Sequence, residues 1–85
     1  MFTILGFYKF KKLDKLNKKK IFFQKYFIEN YIKGTLIISK EGINGTISGK
    51  SRNISYINKK IKSLLKFSKF DSENISKSHF QPFHR

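Results

Sequence analysis

The feature that most constrains the fold of this chain is residues 41–46, EGINGT, which stand between two β-rich runs. Asn-Gly is the strongest short-range signal for a hairpin turn, because both residues accept positive φ at low cost. The preceding run, residues 35–39, is apolar and β-branched, and a shorter run occupies residues 46–48. The pattern predicts a central β-hairpin whose loop spans residues 41–45 and whose second strand ends at Gly49.

Helical patterns flank this hairpin on both sides. Apolar residues at helical spacing predict a first helix over about residues 13–31, and Gly34 is placed as its left-handed C-terminal cap. A second helix carries the cleanest amphipathic stripe in the chain, made by Ile54, Ile57, Ile61 and Leu64. Ser51 or Asn53 is predicted to cap the N-terminus of this second helix.

Strands are predicted near both ends of the chain, over residues 3–10 and 75–79. In the first strand apolar side chains alternate onto both faces, which is typical of a central strand. The resulting order, β-α-β-β-α-β, predicts a ferredoxin-like (acylphosphatase-like) α+β sandwich in which both helices cover one face of an antiparallel sheet. The opposite face, with Ile4, Tyr8 and Phe10, is then left for a partner.

The net charge of +14 invites a nucleic-acid interpretation, since clustered cations displace the counterions condensed on a phosphate backbone. However, 17 of the 19 basic residues are Lys, and only Arg52 and Arg85 supply the guanidinium favoured for bidentate phosphate contacts. A nucleotide bias of the encoding genome, which enriches Lys, Ile and Asn, explains the charge equally well. The basicity is therefore compatible with RNA binding without requiring it.

The candidate nucleic-acid-binding residues are Lys40, Asn44, Lys59, Lys60, Lys62 and Arg85. Lys40 and Asn44 belong to the predicted hairpin loop and its flank, where backbone N–H groups can form an anion nest. The three lysines of the second helix form a stripe that can follow phosphates. The simpler interpretations are an ordinary turn and a solvated helix face.

The chain shows no catalytic or metal-binding constellation. It has no Cys, which excludes disulfides and a cysteine nucleophile within these 85 residues. It has five carboxylates, and none forms an obvious pair with His79 or His84. Two His residues without a carboxylate or thiolate neighbour make a poor metal site. No catalytic residue, metal or cofactor is predicted.

The patterns of membrane, secreted and RNA-recognition-motif proteins are also missing. No apolar run approaches the ~18 residues of a membrane span, and the apolar start lacks a preceding basic segment. A cytoplasmic location is predicted. An RNA recognition motif needs base-stacking aromatics on both central strands, but the third strand offers only residues 46–48, TIS.

The last five residues, 81–85, read QPFHR. Pro82 forces an extended approach and breaks strand pairing, so Phe80 and Phe83 are predicted to pack against the domain while His84 and Arg85 project onward. Pro82, Phe83 and His84 are the candidates for packing between this domain and a following one.

Four segments carry a family resemblance: FYKF at 7–10, KGTLII at 33–38, EGINGT at 41–46 followed by SG, and KS at 77–78 followed by QPFHR. In this order and spacing, the chain resembles the N-terminal domain of the bacterial rhodanese-domain proteins that hydroxylate a uridine in tRNA. The resemblance implies a two-part enzyme, with a ferredoxin-like domain followed by a rhodanese domain that carries the catalytic Cys. Such enzymes install an oxygen-dependent hydroxyl on the wobble uridine, which gives 5-hydroxyuridine.

On this resemblance, residues 1–80 form the ferredoxin-like domain, and residues 81–85 begin the connection to a rhodanese domain that is absent from the chain. The domain is expected to position tRNA or to pack against the catalytic domain, and to be inactive alone. Its expected partners are tRNA and a separately encoded or missing rhodanese domain.

Three alternatives stay open: a freestanding basic RNA-binding module, a decayed reading frame without function, and an acylphosphatase-like enzyme. The last of these needs an anion-binding Arg and a water-positioning Asn beside a phosphate loop. Asn44 is available, but the loop after the first strand offers Lys11 and Lys12 and no Arg.

Overall fold

The computed structural model describes residues 1–80 and contains a four-stranded sheet with two helices. In chain order the elements are β1 (Phe2–Phe10), α1 (Leu16–Glu29), β2 (Lys33–Ser39), β3 (Gly42–Lys50), α2 (Ser51–Leu65) and β4 (Ser72–Ser78). The strand order is β2-β3-β1-β4, and every neighbouring pair is antiparallel. The predicted β-α-β-β-α-β fold is confirmed.

The hydrophobic core lies between the helices and one face of the sheet. Leu5 of β1 and Ile47 of β3 are paired across the sheet centre, and both are fully buried. Phe23 of α1 covers them together with the isoleucines of α2, of which Ile57 and Ile61 are fully buried. Because β1 lies between β3 and β4, the prediction of a central first strand is correct.

The hairpin differs from its prediction. Its turn consists of Lys40 and Glu41, so β3 begins at Gly42 and the loop predicted over residues 41–45 is wrong. Asn44 and Gly45 lie within β3, where both are paired with β1 on one side and β2 on the other. Backbone N–H groups of a central strand bond to its neighbours, so this segment does not form an anion nest.

Gly45 owes its place in the strand to close packing. A Cβ added at this position would meet the carbonyl oxygen of Thr35 and lie 3.2 Å from the Cα of Leu36. The glycine therefore permits the backbone of β2 to approach β3. Asn44 and Gly45 therefore belong to a strand, although Asn-Gly usually indicates a turn, because both residues are paired with a neighbouring strand on each side.

Helix α1 is shorter than predicted at both ends, since it spans Leu16–Glu29. Gly34 does not cap it, because Gly34 lies in β2 with φ of 114°. The residue that turns the chain through the left-handed region is Tyr31, with φ of 55°. The N–H of Ile32 then donates to the carbonyl of Phe27 at 2.9 Å, which closes the turn.

The start of α2 also differs from its prediction. Neither Ser51 nor Asn53 caps the helix: the N-cap position is Lys50, and no side chain bonds to the free N–H groups there. The Ser51 hydroxyl lies 2.7 Å from the Thr3 hydroxyl oxygen, which ties the helix start to β1. At the other end Leu65 is buried in place of the predicted Leu64, which is 36% exposed.

Candidate nucleic-acid interface

One face of the sheet has no helix over it. This open face consists of the even-numbered residues of β1 and the residues paired with them on β3 and β4. The residues of β2 that pair with those β3 residues complete it. Leu5 and Phe7 point the other way, into the core. The sequence prediction that one face is left uncovered is therefore correct within residues 1–80, but its composition was not foreseen.

The centre of the open face is polar. Gly6 of β1 is paired with Thr46 on β3 and with Asn74 on β4. One step along the strand, Tyr8 is paired with Asn44 and Ser72. Hydroxyl and amide groups therefore flank β1 on both sides of its middle, where an apolar patch was expected.

Two aromatic rings stand at one end of this polar centre. The rings of Tyr8 and Phe10 project from the same side of β1, with their centroids 5.3 Å apart at an angle of 59°. Tyr8 is 42% exposed and Phe10 is 75% exposed. The two rings offer exposed π surface beside hydrogen-bonding groups, which is the combination that single-stranded nucleic acids recognise.

A cleft runs over the same region. It is lined by Tyr8, Phe10, Asn44, Thr46 and Asn74, with Gly6 at its floor. A Cβ added at Gly6 would lie 3.7 Å from the Thr46 hydroxyl oxygen and 4.0 Å from the Cβ of Asn74. The missing side chain therefore leaves a depression, and nothing in the packing of the sheet requires it.

The predicted basic residues lie on different sides of the molecule. Lys59, Lys60 and Lys62 belong to α2 and lie on the helical layer, whereas Asn44 lies on the open face. Lys40 is exposed in the hairpin turn. Arg85 falls outside the described residues, as do Pro82, Phe83 and His84. All three α2 lysines lie on the helical layer, but Lys60 reaches towards Phe22 of α1 and Lys62 towards Phe70, so the structure does not gather them into one cluster, and it separates them from Asn44.

Two of the α2 lysines contact aromatic rings within the domain. The Nζ of Lys60 lies 5.6 Å from the ring centre of Phe22, and that of Lys62 lies 5.2 Å from the ring centre of Phe70. Such cation–π contacts hold an ammonium group over a ring without neutralising its charge. Lys59 is exposed. All three can therefore still attract phosphate.

Two backbone amides of the loop between β1 and α1 are already bonded and cannot join an anion cradle of the kind that an acylphosphatase needs. The backbone N–H groups of Lys11 and Leu13 donate to the carbonyls of Glu41 and Lys40, each at 3.0 Å. The Leu13 side chain is buried. These bonds fasten the loop to the hairpin turn, so the two amides are not directed at a ligand.

Asp71 fixes the end of β1 beside the open face. Its carboxylate accepts a hydrogen bond from the backbone N–H of Phe10 at 2.7 Å and another from the Lys9 ammonium at 3.2 Å. These bonds, that of Phe10 above all, lower the pKa of Asp71 below its ordinary value. Sequence reasoning missed this residue, because a lone carboxylate in a loop carries no signal of its partner.

The described part of the chain has neither a cluster of metal ligands nor a membrane-spanning helix. Residues 1–80 contain no group of three or more His, Cys, Asp or Glu side chains that could hold a metal ion. Neither of the helices within residues 1–80 is long and apolar enough to span a membrane.

Comparison with known proteins decides the family. Residues 2–85 match the model of the UPF0176 acylphosphatase-like domain. The chain belongs to this family. The resemblance that the sequence motifs predicted is confirmed, and so is the acylphosphatase-like architecture.

The UPF0176 domain is also similar to a protein named tRNA uridine(34) hydroxylase from Pelagibacter ubique (strain HTCC1062). The two are 59% identical over 85 residues, which is 100% of this chain. The same alignment covers 28% of the hydroxylase. The UPF0176 domain thus spans just over a quarter of the curated relative that it matches.

Proposed function

We propose that this UPF0176 domain is the tRNA-positioning part of an enzyme that forms 5-hydroxyuridine at the wobble position. The observation that carries the proposal is the 59% identity to a tRNA uridine(34) hydroxylase along the whole chain. Identity at this level along the whole chain supports a shared fold and a shared role with the corresponding segment of the larger protein.

The chemistry itself is assigned to residues outside this chain. The 85 residues contain no Cys. Of their five carboxylates, that of Asp71 already accepts hydrogen bonds from the Phe10 backbone N–H and the Lys9 ammonium. The reactive thiolate of a rhodanese domain therefore has to come from elsewhere. In this proposal residues 81–85 lead towards that domain, and Pro82, Phe83 and His84 pack at the junction.

The domain contributes binding energy through its charge. The lysines at 59, 60 and 62 all belong to α2, and in this proposal they supply sequence-independent attraction to the tRNA backbone. Contacts of this kind orient a nucleic acid without reading its bases. The domain then holds the anticodon arm while a catalytic domain reacts with uridine 34.

A chimera tests this proposal in cells that lack their own hydroxylase. The Pelagibacter enzyme is expressed whole, without its matching N-terminal segment, and with that segment replaced by this chain. We expect the replacement to restore 5-hydroxyuridine, measured by mass spectrometry of digested tRNA, and the deletion to lower it at least tenfold. The proposal fails if the chimera is no better than the deletion, or if the 85-residue chain alone modifies tRNA.

The second candidate is a freestanding RNA-binding module, which the net charge of +14 favours. This function needs no catalytic partner. It predicts that the isolated chain binds tRNA as tightly as the whole chimeric enzyme does, at the same salt concentration. An affinity at least tenfold lower for the isolated chain supports the hydroxylase role instead.

A further inference from the structure

We propose that the open face of the sheet holds one unstacked RNA base above Gly6, against the ring of Tyr8. The inference rests on the proposed function only in taking tRNA as the source of the RNA. The site is separate from the α2 lysines, because those lie on the opposite layer of the domain.

The shape of the face suits a flat ring. Gly6 leaves a depression in the middle of β1, and its neighbours across the sheet are Thr46 and Asn74. The exposed Tyr8 ring rises next to this depression on the same side of the strand. A base placed there can stack on one ring, since every base has a π face.

The polar groups around the depression suit the edges of a base. Asn44 and Asn74 each carry an amide, which offers both donors and an acceptor, and Thr46 carries a hydroxyl that can do either. Thr46 on β3 and Asn74 on β4 are paired with Gly6 on its two sides, and Asn44 is paired with Tyr8, one step along the same face. This mixture of donors and acceptors can bond to the Watson–Crick edge of an unpaired base.

The charges on this face favour RNA over a protein partner. At the end of the sheet away from the β2–β3 turn, Lys33 and Lys50 occupy register positions on the open side, and Lys40 lies in the turn at the other end. Glu41, in the same turn, is the one carboxylate among residues 1–80 that lines the cleft. Lysines at both ends can hold the phosphates of a strand whose base occupies the neutral centre.

A protein domain fits this surface less well. The buried centre of a lasting protein interface is rich in apolar side chains. Here the row through Gly6 contains a glycine, a threonine and an asparagine, and the exposed Ile37, Tyr8 and Phe10 lie only on the side towards the β2–β3 turn. The site also differs from an RNA recognition motif, since its aromatics come from β1 alone and β3 contributes hydrogen bonds.

The first test measures binding of a fluorescein-labelled uridine hexanucleotide to the 85-residue chain by fluorescence anisotropy. Tyr8→Leu removes the stacking surface and is expected to weaken binding about 5- to 100-fold, with the same dependence on salt. Tyr56→Leu is the matched control, because Tyr56 is 48% exposed on α2, and its affinity should stay within twofold of the parent.

The second test fills the depression. Gly6→Val places a branched side chain where only ordinary contacts exist, so the fold should persist and RNA binding should fall by at least tenfold. Thermal unfolding of each variant verifies that the domain is intact. In heteronuclear spectra, uridine monophosphate should shift the amide signals of Gly6, Asn44 and Thr46.

Three results would overturn the inference. One is unchanged hexanucleotide binding by both folded variants. Another is a set of shifts confined to the helical layer. The third is that Tyr8→Leu leaves RNA binding intact but lowers 5-hydroxyuridine in the chimera, which would assign the face to the catalytic domain. Failure of the chimera with intact hexanucleotide binding would refute the proposed enzyme and leave the base site standing.

Discussion

At the scale of single residues, Asp71 is the clearest case of a side chain whose role depends on charge. The folded state lowers its pKa, so the carboxylate stabilises the fold fully above the unfolded value of about 3.9. That stability is lost as the pH falls through the lower folded value. The carboxylate matters because it ends β1 at Phe10, beside the open face.

We predict that Asp71→Asn lowers the free energy of unfolding at pH 7 and that the difference from the parent shrinks near pH 3. Urea unfolding followed by circular dichroism measures both values. Asp14→Asn is the control, since Asp14 is 86% exposed and lies 3.6 Å from its partner Lys19. Equal losses for the two variants would contradict the role given to Asp71.

We predict that alanine substitutions at the two glycines of the sheet centre have different effects on the free energy of unfolding. Gly45→Ala pushes a methyl group against the Thr35 carbonyl and should cost about 1–3 kcal/mol of unfolding free energy. Gly6→Ala meets only ordinary contacts and should change stability by less than about 0.5 kcal/mol. Denaturant unfolding of both proteins decides the point, and similar costs would show that the depression at Gly6 is a packing requirement.

At the scale of elements, the sequence prediction was more accurate for an element that packs on one side than for a strand that is paired on both sides. The stripe of α2 was predicted because one face of the helix meets the core and nothing else competes. The hairpin was misplaced because Asn44 and Gly45 carry a local turn signal that two flanking strands override. Pairing on both sides depends on strands that are distant in the sequence, so it cannot be predicted from the residues of β3 and their immediate neighbours in the chain.

The end of α2 offers a direct stability prediction. Leu65 is 2% exposed and Leu64 is 36% exposed, although they are neighbours of the same type. We expect Leu65→Ala to cost about 2–5 kcal/mol because it opens a cavity in the core. Leu64→Ala should cost less than about 1 kcal/mol, because little buried area is lost. Chemical unfolding measures both, and a larger cost at Leu64 would show that the register of the helix is wrong.

We predict that the α2 lysines contribute to the salt dependence of the affinity for tRNA. Replacing Lys59, Lys60 and Lys62 with Ala should flatten the slope of log affinity for tRNA against log salt by about 2–3, if each contacts one phosphate. Ala at Lys18, Lys20 and Lys25 of α1 removes the same charge and serves as the control. Filter binding between about 50 and 200 mM salt measures the slopes. Equal flattening by the two triple variants would mean that the general field of the domain, and not a site on α2, attracts tRNA.

At the scale of the whole molecule, cations across the helical layer and an open face that is neutral only at its centre give the domain two different sides. The sequence predicted the fold and the family from ordered segments, because these depend on strand and helix patterns. It did not predict the open face as a polar cleft. That surface exists only when Gly6, Thr46 and Asn74, far apart in the chain, are placed side by side.

The position of β1 has a consequence for how the domain is made. Among the described strands β1 comes first in the chain, yet its neighbours are β3 and β4, and Phe2 pairs with Ser78. Closing so long a stretch of chain costs entropy before any contact compensates for it. During synthesis β1 can therefore pair with β3 first, while its other edge stays unpaired until residues 72–78 have been added.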